Sequence, residues 1–211
     1  DIIPSPVACL VTKISPQIAD REGLKEPEFI KKIYNEMIKP GTCSVGYNSI
    51  KFDDEFTRFT LYRNFFDPYE REWKNGNTRW DIINMMRLAR ALRPEGIEWP
   101  NHDDGRPSFK LEDLTRANDI EHSGAHDALA DVYATIELAK LVRLKQPRLF
   151  HYIYRIRKKN EVSRIVNLET RDPVFCVSGL LPHSNMYGSI ILPLIRHPIN
   201  KNAIICWDLS K

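Results

Sequence analysis

Apolar positions change period several times along the chain, and each change predicts an element. In EHSGAHDALADVYATIELAK (121–140), Leu129, Val132, Tyr133, Ile136 and Ala139 recur at the offsets of an amphipathic helix. Residues 1–40 read as short helices. One is SPVACLVTK, and a second starts after Ser15, an N-cap with Pro16 at the first helical position. A third is EPEFIKKIYNEMI, closed by Pro40-Gly41. TCSVGYN then reads as a buried strand, and DDEFTRFTLYRNFF as a helix with Phe56, Phe59, Thr60 and Arg63 spaced along it. TRW at 78–80 is a short extended piece before the apolar helix IINMMRLARAL. Residues 94–107, with three prolines and two glycines, predict a loop, and SFKLEDLTRAN a short helix. Beyond Gln146-Pro147 the pattern shifts. RLFHYIYRIRKK is a basic amphipathic helix, and PVFCVSG, SIILPLIRH and NAIICWDL read as strands. The expected organisation is an α/β domain over 1–147, then a helical connector and a β-rich domain over 148–211, with the boundary near 147–168.

Bulk composition changes this picture little. A chain of 211 residues, 42% hydrophobic and 28% charged, is that of an ordinary soluble globular protein with a real core. A formal charge of +3 does not demand a polyanion, but its distribution is uneven. Between Lys140 and Arg164 stand nine basic residues and one acid, Glu161, a stripe suited either to a phosphate backbone or to a solvated helical face. Cysteines 9, 43, 176 and 206 form no C-x-x-C pair and read as buried small hydrophobes in a reducing compartment. No apolar run nears the ~20 residues of a membrane span, and no signal peptide is visible. A cytoplasmic protein with no membrane partner is expected. The start at Asp1, without methionine, points to a fragment.

Two segments carry candidate chemistry. His126 and Asp131 stand five positions apart at the head of the 121–140 helix. Asp131 alone is equally an acid in a helical first turn, where the macrodipole favours it. On a regular helix a five-residue step leaves two side chains roughly 140° apart, so a shared site requires His126 in the loop before the helix. Ser123-Gly124 makes such a loop plausible. A carboxylate fixed on the helix and a histidine in the loop suit a metal ligand and a general base. The spacing H-x₃-H of His122 and His126 lacks the further ligands that zinc requires. In GYNSIKFDDEFTR (46–58) a strand runs out at Tyr47-Asn48, and Asp53 opens the next helix. Residues just past a strand end line the crevice of an open α/β sheet, so Asp53 is either a carboxylate of the same site or an N-cap.

The stretches GYNSIKFDDEFTRFTLYRNFFDPYEREW, NTRWDIINMMRLARALRPEGIEWP and SFKLEDLTRANDIEHSGAHDALADVYATIELAKLV resemble the bacterial exonuclease I family, of the DEDDh superfamily. The likeness runs through nearly all of the chain, including KQPRLF and the β-rich tail. It implies an RNase H-like α/β domain followed by the start of an SH3-like domain. It also implies a 3′→5′ exonuclease that acts on single-stranded DNA in repair and recombination, with two Mg²⁺ in its site and the acidic tail of single-strand DNA-binding protein as a partner. A monomer is expected. By the same resemblance His126 is the general base, and Asp53 and Asp131 hold metal. Lys110 contacts substrate, and Arg58, Tyr69, Trp73 and Arg87 line the single-strand groove. For Tyr69 and Trp73, plain core packing is the competing explanation. The family's first motif, an Asp-x-Glu on an opening strand, has no counterpart here: Asp20-Arg21-Glu22 and Asp53-Asp54-Glu55 share the spacing but follow no initial strand. The expectation is therefore an α/β domain without its opening strands and an SH3-like domain that is cut short. A catalytically inactive single-strand DNA-binding fragment is the alternative function.

Overall fold

The computed structural model describes residues 4–122 and 128–210. Three short helices come first: α1 (Pro6–Thr12), α2 (Pro16–Glu22) and α3 (Glu26–Met37). The hydroxyls of Ser5 and Ser15 accept from the N–H groups of Ala8 and Ile18, and Pro6 and Pro16 open the first turns. Strand β1 (Cys43–Gly46) follows, then α4 (Asp53–Arg63), β2 (Thr78–Asp81) and α5 (Ile83–Leu92). Next come α6 (Leu111–Ala117), α7 (Ala128–Lys145), α8 (Pro147–Ile156) and α9 (Lys159–Ile165). β3 (Val174–Val177), β4 (Gly188–Arg196) and β5 (Ile204–Asp208) complete the order.

Strands β1 and β2 pair in parallel, Cys43 with Thr78 through Gly46 with Asp81. Parallel pairing requires a crossover, which α4 and the segment after it provide. The core gathers around β2 and the helix that follows it. Trp80, Ile82, Ile83, Met85, Met86 and Leu88 interlock there with Ile97, Phe109, Leu114, Leu138, Val142 and Ile153. Trp80 meets Phe150 and Tyr154 of α8 edge-on, with ring centroids 5.4 and 5.3 Å away. β3, β4 and β5 form a separate antiparallel sheet in that order. Val177 and Tyr187 from this region pack on the main core.

Three expectations need correction. The strand read from TCSVGYN exists but is not buried, for Val45 is exposed; among the described residues β1 has only β2 beside it. The stripe read on α7 is not its buried face. Ala134, Thr135, Leu138 and Val142 are buried against neighbours that include α6 and α8, while Leu129, Val132, Tyr133 and Ile136 are exposed. The four cysteines are free and half-buried instead of core residues. Among the described residues no helix is long and apolar enough to cross a membrane.

Candidate functional site

A cleft of about 2250 Å³ opens between the C-terminal end of β1, the start of α4, α6 and the start of α7. Asp53, Lys110, Arg87 and Asp131 all line it. Four side chains expected from sequence to share a site are thus brought together by four different helices or their first residues.

The Asp53 side is built by the turn after β1. At Gly46 a Cβ would lie 2.6 Å from the Ser49 Cβ, so only glycine lets the chain fold back this tightly. Asp81, buried at the end of β2, clamps the turn. Its carboxylate accepts from the N–H groups of Asn48 (2.8 Å), Ile50 (3.3 Å) and Ile83 (3.1 Å). Asn48 takes the left-handed conformation at φ 55°. Asp53 then opens α4 with its side chain facing the cleft. Partial burial, and then the charges of Asp54 and Asp81, hold its carboxyl above the usual range against the pull of its own backbone N–H.

Behind Asp53 lies a buried charge network that sequence reading missed. Asp54 accepts from Arg71 Nη2 at 2.7 Å and Arg79 Nη1 at 2.6 Å, and Arg71 is only 1% exposed. Burial raises the Asp54 carboxyl, but the two guanidinium groups outweigh it and hold the group below the usual range. Arg58 gives both Nε and Nη2 to Glu72, at 2.9 and 3.0 Å, and lies 5.2 Å from the Tyr69 ring. Neighbouring glutamate and arginines along the chain gave no hint of this pairing, because Arg71 lies seventeen positions after Asp54, beyond the end of α4.

The Asp131 side is simpler. Asp131 stands in the first turn of α7, and its Oδ1 lies 2.7 Å from Nε2 of His122. His126 falls outside the described residues. His122 was weighed only as a zinc ligand. Its two ring nitrogens face Asp131 and the Thr115 hydroxyl, which removes it from that reading. Among the described residues no group of three or more His, Cys, Asp or Glu could hold a metal ion. Asp53 and Asp131 are two hard oxygen ligands of the type that Mg²⁺ accepts, not a complete cage.

The remaining expected residues fall in two places. Lys110 caps α6 with an exposed side chain on the cleft. Arg87 is half-buried, its guanidinium 5.9 Å from the Phe109 ring and 5.4 Å from the Tyr187 ring, so it ties the core to the β3–β4 connection. Nη1 donates to Asn84 at 2.8 Å, whereas Nε is buried and has no partner among the described residues. Arg58, Tyr69 and Trp73 do not line the cleft. Tyr69 is 54% exposed and Trp73 67%, so core packing does not account for either ring.

Residues 4–139 match the exonuclease family and residues 157–211 the exonuclease I SH3-like domain. Exodeoxyribonuclease I of Haemophilus influenzae is 51% identical over 210 residues, covering 100% of this chain and 44% of that protein. The crystal structure of E. coli exonuclease I in complex with a dA16 oligonucleotide has 49% identity and a TM-score of 0.94, over 100% of this chain and 45% of the other. A solved ExoI/SSB-Ct complex has 48% identity and a TM-score of 0.91, over 99% of this chain and 45% of the other. The chain therefore spans about half the length of the relatives that it matches or less.

Proposed function

The chain belongs to the exonuclease family and carries an exonuclease I SH3-like domain, and from that premise we propose that the whole protein shortens single-stranded DNA from its 3′ end. The products are nucleoside 5′-monophosphates, and the role is in DNA repair and recombination. One observation carries the reading: the chain places Asp53, Asp131, Lys110 and Arg87 on a single cleft.

Asp53 and Asp131 would hold divalent cations, two Mg²⁺ in the full reading, and such ions would supply charge stabilisation to the phosphodiester cleavage. His126 takes the proton of the attacking water. Lys110 and Arg87 offset phosphate charge. Tyr69 and Trp73 offer exposed ring faces to unpaired bases, and every base has such a face, so the stacking is indifferent to sequence. The acidic tail of single-strand DNA-binding protein is the expected partner, following the ExoI/SSB-Ct complex. The domain boundary belongs in 147–168, and the cytoplasm is the location.

The reading is tested by incubating the whole protein and its Asp131→Ala variant with an end-labelled oligonucleotide and Mg²⁺. Stepwise 3′ shortening by the first and none by the second is expected. Binding without shortening in both would favour an inactive single-strand binding protein, and faster shortening of RNA would reassign the substrate.

Two further results are expected. The 211-residue chain alone should not cleave DNA in Mg²⁺, because Asp53 and Asp131 are too few ligands to hold a hard octahedral ion that dehydrates reluctantly. Cleavage by it that disappears in Asp131→Ala would show that two carboxylates suffice. Separately, Trp73→Ala in the whole protein should weaken single-strand binding by about 1–3 kcal/mol, the value of one stacked base. Its melting temperature should barely move, as expected for an exposed side chain. A lowered melting temperature with unchanged affinity would return Trp73 to a packing role.

A further inference from the structure

We infer that His122 is a positioning residue for Asp131: it holds the carboxylate by one oxygen and leaves the other to face the cleft. The inference rests on the nuclease reading above and deepens it. His122 lies in the connector after α6, with a side chain only 6% exposed, whereas that of Asp131 is 43% exposed. An ionised carboxylate can only accept, so the 2.7 Å contact to Oδ1 places a hydrogen on His122 Nε2. On the far side of the ring, Nδ1 lies 3.3 Å from the hydroxyl of Thr115. Thr115 is itself 1% exposed, and its hydroxyl reaches the carbonyls of Leu111 and Glu112, both at 3.0 Å. The chain of contacts thus runs from the backbone of α6 through Thr115 and His122 to Asp131 on α7.

This arrangement has a physical purpose. A half-exposed aspartate on the first turn of a helix has two rotatable bonds and would otherwise sample several rotamers. Anchoring one oxygen to a buried ring removes most of that freedom before any cation arrives. Oδ1 is the oxygen that His122 engages, and Asp131 lines the cleft. His122 cannot serve as a ligand itself without giving up Asp131 or Thr115, so it acts through Asp131. Hydrogen-bond partners of metal ligands commonly account for about 10–100-fold in metal affinity or activity.

The test uses the whole protein and measures Mn²⁺ binding by electron paramagnetic resonance without DNA, then hydrolysis against Mn²⁺ and Mg²⁺ concentration. His122→Ala should weaken Mn²⁺ binding by about 10–100-fold and move half-maximal activity to higher metal. Turnover at saturating metal should recover most of the loss. His122→Gln, which keeps an N–H near Asp131, should restore part of the affinity, and its circular dichroism separates positioning from unfolding. In Asp131→Asn, adding His122→Ala should weaken Mn²⁺ binding no further, as coupled residues require. Parental Mn²⁺ affinity in a folded His122→Ala variant would overturn the inference while the nuclease reading stands. A parent protein that neither binds Mn²⁺ nor shortens DNA would sink both.

Discussion

Turnover of the whole protein should fall by about 10²–10⁴-fold in His126→Ala, the usual contribution of a general base, while single-strand affinity stays close to the parental value. The expectation comes from the H-x₄-D spacing at the head of α7 and the family resemblance of that segment. An ordinary imidazole titrates near ~6.5, so it is largely free to accept a proton at neutral pH. The two histidines of this segment are separable by metal. His126→Ala should bind Mn²⁺ as the parent does, whereas His122→Ala should not. Parental turnover in His126→Ala would remove His126 from the mechanism.

The largest stability effect is expected at Asp54. Removing it with Asp54→Ala leaves the Arg71 guanidinium buried at 1% exposure, with only the looser 3.6 Å approach of Glu72 to compensate. Breaking one side of a buried ion pair costs about 3–5 kcal/mol, and the remaining Glu72 contact places this case near the lower bound. Urea unfolding should show the loss as a lower midpoint at unchanged slope. A loss below about 1 kcal/mol, typical of a surface pair, would mean that Arg71 is readily rehydrated. The pH dependence follows from the depressed Asp54 carboxyl. Its contribution is fully present above the unfolded-state value of ~3.9 and is lost as pH falls from there through the lower folded-state value. The parent should lose stability across that range, and Asp54→Asn should lose less. Because Asp54 precedes the second turn of the helix that Asp53 opens, its variants should also reduce activity through the aim of Asp53.

Local pattern located most of the elements. Ser-Pro pairs started α1 and α2, a run of prolines and glycines opened the 94–107 loop, and alternating apolar residues marked the three strands of the β-rich region. These features depend on nearest neighbours along the chain, and nearest neighbours are what a sequence displays directly. Asp53 and Asp131 were legible for the same reason: each stands at the first turn of a helix that its own segment defines.

Other features depended on distant parts of the chain meeting. Ala134, Leu138 and Val142 of α7 are buried where α6 and α8 dock, partners that come from other parts of the chain. Asp81 clamps a turn more than thirty residues away, a relation that exists only because β1 and β2 pair in register. His122 reaches Asp131 across a helix boundary, where no fixed rise or rotation links sequence distance to position in space. The chain alone determined the elements and the residue types that could do chemistry. Tertiary structure decided which carboxylates are clamped, which is anchored by a histidine and which share a cleft, because hydrogen bonds and buried charge act over a few ångströms whatever the sequence separation.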